Sequence, residues 1–478
     1  MTVPTLRDYQ QAAVDDVRAA FADRARAPLL VLPTGGGKTV CFSYVTASAT
    51  ARGNRTLILV HRQELLRQTS DSLSAMGVRH GLIAPGASQA MGEAAQVASV
   101  QTIVRRFDRL DAAGWAPDLI VVDEAHHATA GSWRAVLDHW PRARVLGVTA
   151  TPCRMDGKGL ADVFDRIVIG PQIDELIDRG FLAPIAYYAP PVVADLSGLP
   201  SRMGDFAQAE AADRMDRPTV TGDAVEHYGK LCPGVPAIAF CVSVAHAEHV
   251  AEQFRASGWR AASLDGGMAD ADRKQRIADL ASGRLHVLTS CDIISEGTDI
   301  PVVGAAILLR PTRSLGLYLQ QVGRALRLYP GKVEAIILDH VGNRERHGFP
   351  DDRRDWSLEG VKRRGKKADD DEGPPPPVTC EGCFRQIRRP LPPCCPGCGK
   401  SLASDKDRMS ALQQVDGQLQ RVTAEERAAQ AVGRRIEQAR AESMADLVEI
   451  GRARGYANPQ GWAWRVWTKR QDKKREAG

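Results

Sequence analysis

The stretch Val31-Leu32-Pro33-Thr34-Gly35-Gly36-Gly37-Lys38-Thr39 follows directly on an apolar run, Pro28 to Leu32, that reads as a buried strand. Gly35, Gly36 and Gly37 carry no Cβ, so their amides can curl around a cluster of anionic oxygens, with Thr34 opening the loop. Lys38 supplies a point charge and the Thr39 hydroxyl can ligate a metal ion. The apolar run Val40, Cys41, Phe42, Tyr44 and Val45 continues as a helix whose N-terminal dipole points at the same anion. Proline stands where the common spacing puts the first glycine of such a loop. Strand, glycine triplet, Lys-Thr and helix in that order still make a phosphate cradle, the first unit of a parallel α/β sheet.

The flanking sequence repeats the rhythm. Apolar residues at helical spacing from Leu6 to Phe21, opened by a capping box from Thr5 to Asp8, place a helix before the loop. Arg7 and Gln10 lie three apart on it; the Gln10 amide has the geometry to pair with adenine N6 and N7, and Arg7 can stack or pair beside it. A β-branched run from Thr56 to Val60 leads into His61 and Arg62, and the strand at Ala98 and Ser99 leads into Gln101 and Thr102. Cations, amides and hydroxyls at the carboxyl ends of such strands can meet a phosphodiester. The strand Leu119 to Val122 ends on Asp123-Glu124-Ala125-His126. Two adjacent carboxylates are costly to bury without a cation, and Mg2+ bridging two phosphates is the natural one. Asp123 is expected to hold it through water and Glu124 to polarise the water that attacks the γ-phosphate of ATP. Val145 to Val148 form a further strand ending in Thr149-Ala150-Thr151-Pro152, hydroxyls placed to link the carboxylates to another domain.

Bulk properties agree with a large intracellular globular chain. Its 478 residues exceed one hydrophobic core, so about three domains are expected. The 44% hydrophobic and 25% charged content is that of soluble material. No basic leader with an apolar core opens the sequence, and no apolar run approaches a membrane span, so a cytoplasmic protein with no membrane partner is expected. The net charge of +5, with Lys and Arg concentrated in the last third, points to a polyanionic partner. Of 10 cysteines, those at 380, 383, 394, 395 and 398 cluster, which argues for a metal site in a reducing compartment.

The series PTGGGKT (33–39), LVHRQELLRQ (59–68), DEAH (123–126) and TATP (149–152) resembles the first motor domain of superfamily 2 helicases and translocases of the DEAD/DEAH-box kind. The segment Cys153 to Leu160 is similar to bacterial and phage members related to the XPB and type III restriction-subunit helicases. That resemblance covers roughly residues 5 to 345. It implies two RecA-like parallel-sheet motor domains, an adenine-reading role for Arg7 and Gln10, and coupling roles for His126, Thr149 and Thr151. A second α/β pattern opens at Pro236; on its first helix His246 and His249 read as a solvated face. The strand Leu285 to Thr289 with the following Ser290 resembles the family's fifth motif, in which Thr289 and Ser290 face nucleic acid and Gly297 and Asp299 approach the nucleotide. Gln320-Gln321-Val322-Gly323-Arg324-Ala325-Leu326-Arg327 is similar to the sixth motif, with Gln320 at its head. On a helix Arg324 and Arg327 share a face and can reach the γ-phosphate from a separate domain. The resemblance implies an ATP-dependent helicase or translocase, DNA being favoured over RNA because the relatives act on DNA. An RNA helicase, or a duplex translocase that does not separate strands, stands as the alternative.

The expected organisation is a first motor domain over residues 1–182, a connecting segment over 183–230 with some helix around 205–229, and a second motor domain over 231–345. A charged, proline-rich linker over 346–378 follows. Cys380, Cys383, Cys395 and Cys398 make two C-x-x-C knuckles suited to tetrahedral Zn2+ in a small ribbon over 379–401, with Cys394 able to replace Cys395. Arg385, Arg388, Arg389 and Lys400 around the knuckles could touch phosphates or a protein partner. A helical region over 402–478 closes on Tyr456, Trp462, Trp464 and Trp467 among basic residues, either stacking on unpaired bases or forming a small core of its own.

Overall fold

The computed structural model describes residues 5–87, 90, 92–154, 157–189, 201–202, 205–206, 210–211, 215, 218–291, 300–360, 376–402, 441, 443–453, 459–460, 463–464 and 466–468. Two compact units result, residues 1–402 and 403–478.

The strands β1 (Pro28–Val31), β2 (Thr56–Val60), β3 (His80–Ile83), β4 (Ala95–Ser99), β5 (Leu119–Asp123), β6 (Arg144–Thr149) and β7 (Arg166–Ile169) form one sheet in the order β3-β4-β2-β5-β6-β1-β7. Every pairing in it is parallel. The middles of its central strands are apolar because both faces are covered: Ile120 and Val122 point to a cluster with Trp133 and Phe164, and Val121 points to one with Val14, Phe42 and Leu66. Helices α1 (Asp8–Ala22), α2 (Lys38–Thr50) and α3 (Gln63–Ala75) cover the latter face. The register pairs Val31 with Thr149 and Asp123 with Val148, so the motifs end side by side at one edge of the sheet.

A second parallel sheet, in the order β12-β13-β11-β14-β15-β8, comprises β8 (Ile185–Tyr188), β11 (Ala237–Phe240), β12 (Ala261–Leu264), β13 (Val287–Ser290), β14 (Ala305–Leu308) and β15 (Ala335–Asp339). The small hairpin of β9 (Ser201–Arg202) and β10 (Asp205–Phe206) packs beside it, Asp205 accepting from the Thr312 hydroxyl at 2.8 Å. The helix of the connecting segment is Pro218–Leu231. One part of that segment is not a connection: β8 closes the second sheet beside β15, and the Tyr187 hydroxyl donates to Asp339 Oδ2 at 2.8 Å. His246 is also not on a solvated face. It is fully buried, its Nδ1 accepting from the Val242 amide at 3.4 Å, whereas His249 is exposed.

Of the expected linker, residues 346–360 are packed rather than extended, and residues 376–378 lead into the cysteine ribbon. Phe349 lies edge-on to Tyr187, and Trp356 and Leu358 join the core of the first lobe. The Leu358 carbonyl accepts from the Leu160 and Ala161 amides at 2.7 and 3.1 Å, while Arg354 and Gln172 exchange backbone-to-amide hydrogen bonds of 2.9 and 3.0 Å. Arg353 pairs with Asp174 and Glu175 at 2.7 Å each. Charges that made this stretch read as solvated find counter-ions remote in sequence, Arg353 in the first lobe and Asp351 and Asp352 in Arg388 of the ribbon. Residues 361–375, with the basic run and the first two prolines of the proline run, lie outside the described residues.

The ribbon hairpin of β16 (Val378–Thr379) and β17 (Gln386–Ile387) docks on β8, with Arg385 bridging antiparallel to Tyr188 and the Phe384 carbonyl accepting from the Ala189 amide at 3.2 Å. In the second unit the helix Met444–Ala453 buries Leu447 against Ala463, with Trp467 packed alongside and Trp464 59% exposed. So one tryptophan belongs to a small core and one to the surface; Tyr456, Trp462 and the basic residues after Thr468 lie outside the described residues, as do residues 403–440 of the expected helical region. Among the described residues no helix is long and apolar enough to cross a membrane.

Candidate active site between the two lobes

The phosphate loop runs from the end of β1 into α2. Gly35 and Gly37 adopt φ of 86° and 84°, a region that side chains with a Cβ rarely enter, and Gly37 caps α2 so that Lys38 and Thr39 form its first turn. The loop is braced from behind by α1. The Tyr9 hydroxyl donates to the Gly36 carbonyl at 3.1 Å and Gln10 Nε2 donates to it at 3.4 Å, while Gln10 Oε1 accepts from the Arg7 amide at 3.0 Å. The capping box therefore sits at Arg7 and Gln10, not from Thr5 to Asp8. Gln10 is buried with its amide bonded to the cap and the loop, so it props the cradle from behind. Arg7 does reach the cleft, its guanidinium 4.8 Å from the ring of Phe181, an aromatic that no motif marked.

Asp123 and Glu124 end β5 on the same edge. Both are buried, and Glu124 is held at φ 50°, a left-handed conformation that is unusual for a residue with a side chain. Burial, and then the neighbouring Glu124 carboxylate, push the Asp123 carboxyl above the ordinary carboxylate range, with Lys38 acting in the opposite direction. Two buried carboxylates facing Lys38 and Thr39 fit a divalent cation, the species that would let both ionise. From Glu124 a polar chain runs across the sheet edge. His126 Nδ1 lies 3.5 Å from Glu124 Oε2 and 3.4 Å from Thr149 Oγ1, and the Thr149 hydroxyl donates to the Thr151 carbonyl at 3.0 Å.

The helix Leu315–Gly323 of the second lobe lies against this edge. A Cβ at Gly316 would stand 2.9 Å from Thr151 Oγ1, and one at Gly323 would stand 2.5 Å from Thr34 Cβ. Two glycines seven apart, two helical turns, thus let the second lobe touch both the phosphate loop and the Thr149–Thr151 turn; that spacing was a sequence signal left unused. Arg324 and Arg327 follow immediately and share a cavity of about 330 Å³ with Arg7, Thr34, Gly35, Lys38, Asp123 and Glu124. Burial lowers the Arg327 guanidinium to about 10. Gln320 is buried on the same helix, outside the cavity wall, and Gly297 and Asp299 lie outside the described residues.

Comparison with known proteins agrees with this geometry. Residues 4–154 match the family of the type III restriction enzyme, res subunit, and residues 224–329 match the helicase conserved C-terminal domain. A 51.5 kDa protein of Lactococcus phage (isolate 7-9) is 35% identical over 338 residues, 70% of this chain and 71% of that protein. The Saccharomyces cerevisiae protein described as the ATP-dependent helicase IRC3 is 32% identical over 360 residues, 71% of this chain and 52% of that protein. The chain belongs to the superfamily 2 helicases. It is an ATP hydrolase. The fold is shared with a fragment of an HsdR subunit of a type I restriction enzyme from Vibrio vulnificus, at a TM-score of 0.56, 22% identity, and coverage of 73% of this chain and 68% of that one. It is shared also with the DNA-bound restriction-modification enzyme LlaBIII, at a TM-score of 0.53, 18% identity, and coverage of 71% and 28%.

In this helicase His61, Arg62, Gln101 and Thr102 gather as expected, because β2 and β4 are neighbours and Val60 pairs with Ser99. His61 and Arg62 are half-buried, Gln101 is exposed, and the His61 ring lies 4.7 Å from that of His127. Thr289 and Ser290 are different. Both are buried at the end of β13, between β11 and β12, and the Thr289 hydroxyl donates to the Ala247 carbonyl at 2.6 Å. A central strand buries both faces, so the Thr289 hydroxyl holds the helix behind it, and the Ser290 hydroxyl is buried without a hydrogen bond among the described residues. Two ion pairs join the helicase lobes nearby, Arg273 with Glu64 at 2.5 Å and Arg67 with Asp270 at 2.7 Å.

The four expected thiols of the ribbon converge. Cys380, Cys383, Cys395 and Cys398 place their sulfurs within 4.8 Å of one another, with Cys380–Cys398 and Cys383–Cys395 at 3.6 Å. Cys394 is exposed and outside the cluster. Three of the ribbon's cations are used internally: Arg385 pairs with Glu334 at 2.9 Å, Arg388 with Asp351 and Asp352 at 2.6 and 2.8 Å, and Lys400 with Glu381 at 3.1 Å.

Proposed function

We propose that this helicase is a DNA-stimulated motor in which the cleft closes on ATP and Mg2+ and the closure steps the two lobes along the strand. The observation that carries the reading is the shared cavity, which lines Lys38, Thr39, Asp123 and Glu124 of one lobe with Arg324 and Arg327 of the other. The amides of Gly35 to Gly37 and Lys38 bind the β- and γ-phosphates, and Arg7 with Phe181 offers a flat cationic and aromatic surface for the base. Thr39 and Asp123 hold Mg2+, which when bound neutralises phosphate charge. Glu124 orients and deprotonates the attacking water, and the guanidinium groups meet the charge that builds on the transferring phosphoryl group. Gln320 and the turn through His126, Thr149 and Thr151 couple that chemistry to the far lobe.

His61, Arg62, Gln101 and Thr102 form the strand-binding edge. DNA is favoured because the first lobe matches a restriction-enzyme family and resembles the DNA-acting helicases related to XPB. The ribbon cysteines hold a structural Zn2+: metal–sulfur bonds of about 2.3 Å give a tetrahedron with edges of about 3.8 Å, close to the spacing of the sulfurs. The test compares ATP turnover on single-stranded DNA, duplex DNA and RNA, together with a strand-displacement assay. Stimulation by DNA and strand displacement are expected. Stimulation by RNA alone overturns the DNA assignment, and duplex-stimulated turnover without displacement makes the protein a duplex translocase.

A further inference from the structure

The backbone that carries Arg324 and Arg327 away from the helix Leu315–Gly323 is tied down by one side chain. Lys332, just ahead of β15, folds back so that its ammonium donates to the carbonyls of Arg327 at 2.7 Å, Val303 at 2.8 Å and Ala325. Three N–H donors meet three acceptors, so the cation is fully satisfied without a carboxylate among those partners. The carbonyl between the two on the arginine loop, that of Leu326, accepts from the Ala183 amide at 2.8 Å, where the chain passes from the first lobe to the second. Three consecutive carbonyls beneath the arginines are thereby fixed, two by Lys332 and one by the lobe connection. They lie just past a helix C-terminus, where a cation is favoured.

The geometry points to Lys332 as a positioning residue for ATP hydrolysis: its ammonium fixes the backbone that aims Arg327, and with it Arg324, at the phosphate loop. This rests on the role given above to the two arginines. Their aim needs a rigid support because Arg327 lines the cleft and must hold its guanidinium there before the phosphate arrives. The charged side chain acting on Lys332 is Arg327; the other groups facing it are carbonyls from the Val303 turn and the arginine loop. Burial, then Arg327, lower the Lys332 ammonium to about 8. Protonated Lys332 makes all three bonds and deprotonated Lys332 does not, so support is present below about 8 and is lost as pH rises through it.

The experiment measures single-turnover ATP hydrolysis, ATP affinity and melting temperature from about pH 6.5 to 9.5 for the full chain and for Lys332→Met, Lys332→Arg and Arg327→Ala. Lys332→Met is expected to lose turnover on the order of tenfold to a hundredfold at neutral pH while still binding ATP, the size that misplacement of a catalytic group produces. Lys332→Arg, which stays charged, is expected to restore part of the rate and to move the alkaline fall upward. Wild-type turnover in Lys332→Met beside an inactive Arg327→Ala overturns the proposal. So does an alkaline fall that is identical in the full chain and in Lys332→Arg, a comparison that stands even if the methionine variant fails to fold. Full turnover in Arg327→Ala removes the role of the arginines first and that of Lys332 with it.

Discussion

Glu124 sits at φ 50°, and a side-chain-bearing residue held there costs of order 1–3 kcal/mol that the surrounding sheet must offset. The conformation turns the chain sharply after β5, so that consecutive carboxylates both line the cleft. Asp123, whose carboxyl is pushed up by burial and by Glu124, ionises more readily beside a cation, whereas Glu124 adjoins His126. Glu124→Gln is nearly isosteric and keeps the packing, but it removes the base. Turnover is expected to fall by roughly 10² to 10⁴ with ATP binding retained, which a filter-binding assay beside a phosphate-release assay will separate. Lys38→Ala removes the charge on the phosphates and is expected to abolish hydrolysis. Gln10→Ala acts differently because that amide braces the loop: loss of the Arg7 cap costs about 1 kcal/mol of stability and loosens the Gly36 carbonyl, so a higher KM for ATP is expected with a smaller change in kcat.

At the scale of elements, the helix Leu315–Gly323 decides how closely the lobes can meet. Gly323→Ala would put a methyl within 2.5 Å of Thr34 Cβ, and neither a helix backbone nor a phosphate loop can yield that much without moving apart. ATP turnover is expected to drop at least tenfold with circular dichroism unchanged; wild-type turnover would show that the two surfaces separate during the cycle. The chemistry-bearing elements were legible in the sequence because phosphate and magnesium demand particular residue types within a few positions, as in Gly35 to Thr39 and Asp123-Glu124. Elements whose partners are remote in sequence were not. β8 is four residues long, and what makes it a strand is β15, about 150 residues away, so Ile185 to Tyr188 carried no local signal. The burial of Thr289 and Ser290 was hidden for a related reason: hydroxyls near a strand end look exposed in sequence until the neighbouring strands, and for Thr289 the helix at Ala247, close over them. Residues 346–360 read as solvated because charge is counted locally, whereas Arg353 finds Asp174 and Glu175 nearly 180 residues back.

Across the first unit, the stretch after Val341 returns from the second lobe to the first, and the cysteine ribbon grips it on the way. Arg388 holds Asp351 and Asp352 and lies 4.4 Å from the Phe349 ring, while the next residues pair with Gln172, Asp174 and Leu160 of the first lobe. The interior also carries an acid-sensitive group: His340 is fully buried beside His227, and burial lowers its imidazolium to about 3. The unfolded chain takes up that proton below its ordinary value near 6.5, so stability is full above about 6.5 and declines by roughly 1.4 kcal/mol per pH unit as pH falls toward 3. Melting curves of the full chain against His340→Gln will expose that slope, which the variant should lack. Metal removal tests the ribbon's part. With the thiolates unheld, a hairpin whose core is Cys380, Ile387 and Cys395 has too little apolar area to stay folded, and Arg385 and Arg388 lose the geometry that reaches Glu334, Asp351 and Asp352. Stripping the metal with a strong chelator is therefore expected to release Zn2+ measurable by elemental analysis, to open residues 349–360 to limited proteolysis, and to lower nucleic-acid-stimulated turnover more than ATP binding. Arg388→Ala is expected to reproduce the proteolysis with the metal still bound, because it cuts the contact between ribbon and strap and leaves the thiolates alone. Unchanged cleavage in both would mean that the strap is held by the first lobe without the ribbon's help.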